Sequence, residues 1–564
     1  MSVRPQAAVE VPELTARVAR ASNPRGTTAM WVRDRLEGLW CDADFTCWYP
    51  RDGRPGLSPA QLATVSVLQF LYNLSDRQAA EAVRCRIDFK YALGLELEDP
   101  GFHHSVLSDF RDRLAAEGRA DALLDLALKR LKEAGLVKAR GRQRTDSAAI
   151  LSWARELTRL ELMLEAVRAA LEEVARVDPH LLDGLVDEDW ARRYGRQVRL
   201  ASQPTHPAAR LAQAGADAAA LLHRVHTARP ERPGRPTPPS TAGQMEALRQ
   251  IMVQNFVTDG RGRLRARQTK DGQPPARLRI ESPYETQARW ARRGNTRWTG
   301  YLVHVTETCN DTGTNIITDV ATDLPRGDVT ALPGIHTRLK RRRLLPRQHL
   351  VDGGYTSVAQ MDAAARSHRV QIIGPVKSGN SWQRKDQTGF AREDFTIDFD
   401  ERQVTCPRGR VSGNWLELPA MAPYTVVRFN PAHCDPCPAR ASCTSGKAPR
   451  TVNFLPRRLH DLQAQNRADQ QNPDWRRLYA SRSGVEGTVD ELVNAHQMRR
   501  CRYRGQAKTH VQHVLTAIAV NISRLSDQEP THSTYQPRKP THSRNTSKTT
   551  TYPDPAGGAK ATEP

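Results

Sequence analysis

Residues 478 to 525 read "LYASRSGVEGTVDELVNAHQMRRCRYRGQAKTHVQHVLTAIAVNISRL". Tyr479, Arg482 and Glu486 follow one another at steps of three and four, so they project from one face if the segment is helical. The last fifteen letters repeat apolar residues at roughly the helical period, which predicts a helix. Between the two lies a dense basic run of Arg499, Arg500, Arg502, Arg504 and Lys508. A carboxylate beside many cations predicts metal chemistry on a polyanion.

The composition supports an anionic partner. The chain has 564 residues, enough for three or four domains at roughly 150 residues each. Lys and Arg number 84 against 62 Asp and Glu, which gives a net charge of +22. Such an excess predicts binding to nucleic acid or to an anionic surface, and a merely basic soluble protein is the alternative.

The chain start has no apolar core after its first charges, and no window of about 18 uninterrupted apolar residues occurs in the sequence. We therefore expect a cytoplasmic protein with no membrane partner. The nine cysteines are an odd number and are unevenly placed. Free thiols or a metal site are therefore expected in place of a disulfide framework.

Helical patterns dominate the first quarter of the chain. We assign residues 1–56 to an N-terminal arm and residues 57–140 to an all-α, DNA-binding domain, with Ser58 and Ser75 as helix N-caps. "LSDRQAAEAVRC" and "HHSVLSDFRDRL" are compatible with a helix-turn-helix unit that presents Arg and His to a DNA groove. Short amphipathic helices are more often simple core formers, so DNA contact here has this plain alternative.

The middle of the chain predicts a mixed α/β unit that is interrupted. Residues 141–200 hold a first strand with Asp146 and a long helix, and residues 201–243 are a Pro/Ala-rich linker or insertion. Residues 244–376 form the central part, where "CNDTG" separates two β-rich runs as in a hairpin. Helix, strand, helix and strand follow, and Asp352 ends a strand before Gly353.

A cysteine-containing insertion is expected over residues 377–470, before helices at 471–525 and a disordered tail at 526–564. Its four cysteines are Cys406, Cys434, Cys437 and Cys443. Four thiolates can bind structural Zn²⁺ in a tetrahedron, and His433 is a substitute ligand. Reduced thiols without metal are the alternative, because the first half of this motif offers a single cysteine.

Three acids stand at element ends or on a helix face: Asp146, Asp352 and Glu486. Any single one of the 62 acidic residues is most often a helix cap or a surface charge. Brought together, however, three carboxylates can hold two Mg²⁺ ions about 4 Å apart for phosphodiester chemistry.

Several stretches resemble one protein family over about residues 35 to 525. "GRQRTDSAAIL", "TGYLVHVTETC", "HLVDGGYTS" and the opening stretch are similar to the DDE transposases of bacterial insertion sequences, and "LSPAQLATVSVLQFLYNLSDRQAAEAV" to their N-terminal helical domain. The Y-x2-R-x3-E pattern is the specific part. The resemblance implies an α/β fold with an RNase H-like mixed sheet, interrupted by insertions and preceded by an all-α domain. It makes Asp146, Asp352 and Glu486 the catalytic, Mg²⁺-binding triad, with Mn²⁺ as a substitute ion.

The same resemblance implies a function. A transposase binds the terminal inverted repeats of its insertion sequence, cleaves DNA with Mg²⁺ and transfers the strand, as a homodimer on double-stranded DNA. Tyr479, Arg482 and the basic run would then bind DNA. The alternatives are an inactive or domesticated DNA-binding protein and an RNase H-like nuclease without strand transfer. Relatives carry a DNA-contacting Lys seven positions beyond the Glu, where this chain has Val493. Either Arg499 or Arg500 supplies the charge in its place, or no residue does.

Overall fold

A mixed β-sheet lies at the centre of the computed structural model, which describes residues 2–3, 5, 10–200, 204–227, 243–377, 381–386, 389–418 and 423–528. Its strands are β1 (Arg142–Leu151), β4 (Arg289–Arg293), β5 (Thr296–Thr308), β6 (Ile317–Asp323), β7 (Gln348–Val351) and β8 (Gln371–Ile373). The order is β4–β5–β1–β7–β8, with β6 paired to β5. β1 is antiparallel to β5 and parallel to β7, as the expected RNase H-like α/β fold requires.

The predicted hairpin is present. β5 and β6 pair in antiparallel fashion on either side of "CNDTG". β5 is buried from Trp298 to Thr308, because it is an inner strand that is covered on both faces. Helices α12 (Leu332–Arg341) and α13 (Val358–His368) connect β6, β7 and β8, so the predicted order of helix, strand, helix and strand is confirmed.

Seven helices precede the sheet. They are α1 (Glu13–Ser22), α2 (Thr28–Leu36), α3 (Pro59–Leu71), α4 (Asp76–Cys85), α5 (Ile87–Leu93), α6 (Ser105–Leu114) and α7 (Arg119–Glu133). The hydroxyls of Ser58 and Ser75 accept hydrogen bonds from backbone N–H groups in the first turns of α3 and α4, so both predicted N-caps are confirmed. Within the predicted N-terminal arm, α2 contributes Val32 and Leu36 to the same core as α3.

A long helix joins the helical part to the sheet. α20 (Gln506–Ser526) packs on α3 and α7 on one side and on β6 on the other. Leu515 and Ile518 are buried in one continuous core with Phe70 of α3 and Leu339 of α12. The two parts are therefore packed as one body. Among the residues that the structure describes, no helix is long and apolar enough to cross a membrane.

The first insertion separates β1 from β4. It contains α8 (Arg159–Val177), α9 (Glu188–Tyr194), α10 (Pro207–Thr227), α11 (Gly243–Asn255), β2 (Phe256–Thr258) and β3 (Leu264–Ala266). The predicted long helix is α8, and α10 and α11 pack against it around a core of their own. Residues 207–227 are therefore part of an insertion and not a linker, because an alanine- and leucine-rich face overrides the neighbouring prolines. Residues 228–242 of the predicted linker lie outside the described residues.

The second insertion follows β8. It contains α14 (Trp382–Asp386), β9 (Thr396–Asp398), β10 (Gln403–Thr405), β11 (Asn414–Leu418), β12 (Tyr424–Arg428), α15 (Pro431–Cys434), α16 (Arg440–Cys443) and β13 (Thr451–Phe454). Six fully buried apolar residues form its small core. After it come α17 (Arg457–Asp469), α18 (Pro473–Ala480) and α19 (Gly484–Asp490). The predicted disordered tail lies outside the described residues from position 529 onward.

Candidate active site

Two of the predicted acids are neighbours across a parallel strand pair. Thr145 of β1 pairs with Val351, the last residue of β7, so Asp352 follows the end of β7 beside Asp146, which lies within β1 and pairs with Val305 of β5. Oδ1 of Asp146 accepts the N–H of Ser147 at 2.7 Å. Oδ1 of Asp352 accepts the N–H of Gly354 at 2.8 Å. These backbone bonds fix both carboxylates at the sheet edge.

The third acid is brought to this edge by an arginine of β1. Arg144 donates from Nη1 to the carbonyl of Ser481 at 2.7 Å and pairs with the buried Glu307 of β5. A Cβ atom on Gly484 would lie 2.0 Å from Nη1 of Arg144, so a larger residue there would displace the arginine side chain that anchors α19. Thr488, one turn further along α19, donates to Glu307 at 2.7 Å. α19 is thus anchored on β1 and β5.

Arg482 links the first acid to the third. Its Nη1 lies 3.3 Å from Oδ2 of Asp146, and its Nη2 binds Oε1 of Glu486. The side chain of Arg482 is 14% exposed and that of Glu486 is 57% exposed, so the glutamate stands at the rim of the site. Tyr479, Arg482 and Glu486 of the Y-x2-R-x3-E pattern therefore face the same site as the two aspartates.

Electrostatics reflect this clustering. Burial raises the pKa of Asp146, and the neighbouring charge of Asp352 raises it further, while Arg482 and the Ser147 N–H oppose the shift. Burial likewise raises the pKa of Tyr479, and the charges of the triad acids add to that increase. Tyr479 is stacked on Trp475 at 4.9 Å between ring centroids. The tyrosine therefore faces the site with a fixed ring.

The carboxylates of the three acids suit a hard cation such as Mg²⁺, but their oxygens do not converge on one point. Within the described ranges no three His, Cys, Asp or Glu side chains are placed to hold a metal ion. The reason at this site is the guanidinium of Arg482, which lies between Asp146 and Glu486 and bonds both carboxylates. Carboxylate oxygens are the ligands that Mg²⁺ prefers, so the chemistry of the acids fits the ion once Arg482 turns away.

Sequence reasoning missed a fourth acid at this edge. Asp328 precedes α12 and is 6% exposed. Its Oδ1 accepts the hydroxyl of Ser147 at 3.1 Å. A Cβ atom on Gly354 would lie 2.8 Å from Oδ2 of Asp328 and 2.9 Å from Oδ1 of Asp352, so these two carboxylates flank one point. In the sequence, an aspartate just before a helix is typical of an ordinary N-cap, and no other pattern marked Asp328 as a site residue.

The basic run is divided between surface and interior. Arg499, Arg500 and Arg504 are exposed. Arg502 instead donates to the carbonyl of Leu74 at 3.1 Å and lies over the ring of Phe70, and Lys508 pairs with Asp112. Arg502 and Lys508 therefore contact the helical part, although the side chain of Lys508 is still 40% exposed.

Val493 is buried. It is 2% exposed and packs with Leu492 and Met498 under the sheet. The chain passes through a π-helical turn, Glu491–Ala495, which changes the helix face that follows Glu486. A lysine at position 493 would point into the core. Arg499 and Arg500 are exposed, so both remain candidates for supplying the positive charge in its place.

The four predicted zinc ligands meet in the second insertion. Cys406, Cys434, Cys437 and Cys443 line one small pocket, together with His433. Burial raises the pKa of the Cys443 thiol, and the other three thiols add to this effect, so all four are close. Cys406 begins a turn in which the N–H of Gly409 donates to its carbonyl at 2.8 Å. The four cysteines are free thiols, and their sulfurs are not arranged as a tetrahedral metal site.

Protein-family models match two parts of the chain. Residues 405–526 match a family described as a transposase DDE domain, and residues 19–113 match one described as a transposase domain, DUF772. The first match contains Glu486 and the four cysteines of the second insertion, and the second covers α2 to α5 with the end of α1 and most of α6. The searches of curated proteins and of solved structures found no match.

Proposed function

We propose that this chain, a DDE transposase of the insertion-sequence type, binds the terminal inverted repeats of its own element, cleaves the DNA there and transfers the freed 3′ ends to a target. One observation carries the proposal. Asp146 within β1 and Asp352 just after β7 lie side by side on adjacent parallel strands, and the helix with Glu486 is anchored over them through Arg144 and Arg482. Three carboxylates at one sheet edge suit phosphodiester chemistry.

Asp146 and Asp352 would hold Mg²⁺ between them, and Glu486 would complete the coordination from the rim. Two such ions supply an activated water or 3′ hydroxyl and stabilise the leaving oxygen, and Mn²⁺ can substitute. The acids would position the scissile phosphate indirectly, because they determine where the Mg²⁺ ions bind. Their fixed backbone bonds to Ser147 and Gly354 preorganise this arrangement.

Arg482 has two roles in this proposal. In the protein alone its guanidinium neutralises Asp146 and Glu486. When DNA enters, the planar fork binds a phosphate oxygen pair beside the site, a task that suits arginine better than lysine. Tyr479, held by Trp475, packs against the neighbouring sugar or donates to a phosphate.

The DNA path runs from this edge along Arg499, Arg500 and Arg504, which are exposed. Arg504 lies over the ring of Trp153 at 4.2 Å, so its charge is held at the surface. The helical part, residues 57–140, contacts the terminal repeat through α4 and α6, which Arg111 and Asp76 join. Synapsis of two element ends requires two protein copies, so the acting form is a homodimer on DNA.

The proposal includes a structural Zn²⁺ ion in the second insertion. Six buried apolar residues are a small core for a unit of this length, and units of this kind are commonly stabilised by a metal. Rotation of the four cysteine side chains about Cα–Cβ would bring the thiolates around one Zn²⁺ ion. The insertion would then be held rigidly beside α17.

The test separates transposition from simpler activities. Purified protein is incubated with a labelled duplex taken from the DNA that flanks the reading frame, with Mg²⁺ and an unlabelled target duplex. The proposal expects nicks at the repeat boundary and a joined product of labelled and target DNA. Cleavage without joining would favour an RNase H-like nuclease, and binding without cleavage would favour an inactive DNA-binding protein.

A further inference from the structure

A short basic hairpin extends from the sheet. β4 and β5 are joined through Gly294, which has a φ of +57°. Every residue from Arg292 to Arg297 is exposed, and three of these are arginines. We call residues 289–300 the β4–β5 hairpin. Its tip is an exposed cationic turn next to the candidate active site.

The hairpin folds back over the sheet. Ser147 of β1 pairs with His304 of β5, whereas Arg293 pairs with Thr296, far along β5 from that point. Nevertheless Nη1 of Arg293 donates to the hydroxyl of Ser147 at 3.2 Å. A Cβ atom on Gly300 would lie 2.0 Å from the carbonyl oxygen of Ile150, so glycine permits the close approach of β5 to β1 at the base of the hairpin.

Asp328 fixes the tip in place. Nη2 of Arg293 binds Oδ2 of Asp328, and Ser147 bonds the other oxygen of the same carboxylate at 3.1 Å. Asp328 is almost fully buried, whereas the side chain of Arg293 is 51% exposed. One end of the guanidinium is thus clamped to the protein and the rest faces solvent. A buried acid that holds an exposed arginine is a typical way to orient a cation for a ligand.

We propose that the β4–β5 hairpin binds the phosphate backbone of the DNA strand at the active site, with Arg293 as the contact nearest to the reaction and Asp328 as its positioning residue. This inference rests on the proposed function. Arg293 and Arg482 are held next to the acids by different contacts: Arg482 bonds Asp146 itself, and Arg293 is held through Ser147 and Asp328. The two guanidinium groups would bind phosphates of the same strand near the scissile bond.

Arg292 and Arg297 extend the contact along the backbone. They pair across the hairpin, and the Nε of Arg292 donates to the carbonyl of Gly294 at 2.8 Å, which stiffens the tip. Each phosphate that a cation neutralises releases bound counterions, so its loss lowers the salt dependence of binding by about one unit of slope. The contribution of the hairpin to DNA binding can therefore be measured from the salt dependence, independently of cleavage.

The test uses the full chain and a fluorescein-labelled duplex from the flanking DNA. Four variants are compared with the wild type: Arg293→Gln, Asp328→Asn, the double variant, and Arg196→Gln as an exposed control in the first insertion. Binding is measured from low to moderate salt, cleavage is measured at saturating DNA with Mg²⁺, and melting curves report folding. We expect Arg293→Gln to lower the salt slope by about one and the cleavage rate by about tenfold or more, with an unchanged melting temperature.

The double variant tests the link between the two residues. If Asp328 acts through Arg293, the double variant cleaves no more slowly than Arg293→Gln alone, because the effects of the two substitutions do not add. Arg293→Gln with the binding, salt slope and cleavage of Arg196→Gln would overturn the inference. Wild-type protein that binds DNA without cleaving it would contradict the proposed function alone, because the salt slope still tests the hairpin. Wild-type protein that fails to bind DNA would overturn both.

Discussion

Nη1 of Arg482 lies 3.3 Å from Oδ2 of Asp146, although 336 residues separate them in the chain. The same guanidinium binds Glu486, so one cation is shared between the first and third acids of the site. Like charges at short distance repel strongly in a partly buried site, and Arg482 offsets that repulsion in the protein alone. Phosphate binding by this arginine would release both carboxylates for a metal ion.

This arrangement predicts the effect of removing the cation. Arg482→Gln should bind Mn²⁺ more tightly than the wild type in the absence of DNA, by about tenfold, because the acids lose their internal counter-charge. Isothermal titration calorimetry measures the affinity. Arg477→Gln on α18, whose exposed arginine pairs with Asp474, is the matched control. Equal Mn²⁺ affinity in both variants would show that Arg482 does not compete with the ion.

The burial of Val493 predicts that the fold does not tolerate a lysine at this position. Val493→Lys should destabilise the protein by about 3 kcal/mol or more, because the ammonium would be buried among apolar side chains. Asn494→Lys places the same charge on the neighbouring exposed position and should leave the melting temperature nearly unchanged. Thermal melting of both variants provides the comparison. A stable Val493→Lys protein with faster cleavage would mean that the helix is rotated relative to the structure.

The cysteine pocket predicts a bound metal. Protein purified without chelator should contain about one zinc per chain by atomic emission. Cys437→Ser should lose the zinc, and proteases should then cut within residues 389–454. Cys85→Ser, which changes an exposed thiol on α4, should retain the metal. Metal-free wild-type protein that resists proteases equally well would assign the four cysteines to packing.

Buried histidine predicts a dependence of stability on pH. Burial, with a smaller contribution from His510, lowers the pKa of His513 to about 3, and the ring is neutral in the fold. The unfolded chain takes up this proton near pH 6.5, so the stabilisation is present above that pH and is lost as pH falls toward 3. The free energy of unfolding should fall by about 1.4 kcal/mol per pH unit for such a group.

The measurement compares melting temperatures between pH 7 and pH 4. His513→Gln should melt with a weaker pH dependence than the wild type over this range. His226→Gln, at an exposed position on α10, should follow the wild-type curve. A His513→Gln curve parallel to that of the wild type would show that this ring takes up its proton in the folded state.

Local patterns predicted the elements that depend on local chemistry. Ser58 and Ser75 cap helices because a hydroxyl before an amphipathic run satisfies free N–H groups. Asp352 was placed at a strand end because two glycines follow a short apolar run. The Y-x2-R-x3-E pattern lies on one side because its spacing matches the helical period. These features require no knowledge of distant contacts.

Other features depend on distant contacts and could not be predicted. Asp328 and Arg293 meet only in the folded chain, across 35 residues of sequence, and no local pattern marks either residue. Arg502 appeared equivalent to Arg499 in the basic run, but packing of α20 against α3 turns it toward Leu74. α10 was hidden by flanking prolines, because its stability comes from contact with α8.

Metal-dependent cleavage by the triad is the central claim, and one comparison tests it most directly. Labelled duplex from the flanking DNA is incubated with Mg²⁺ and with wild type, Asp352→Asn or Asp189→Asn, the last an exposed acid on α9. We predict that Asp352→Asn binds the duplex as the wild type does and cleaves it at least about a thousandfold more slowly, whereas Asp189→Asn cleaves normally. Undiminished cleavage by Asp352→Asn would contradict the account.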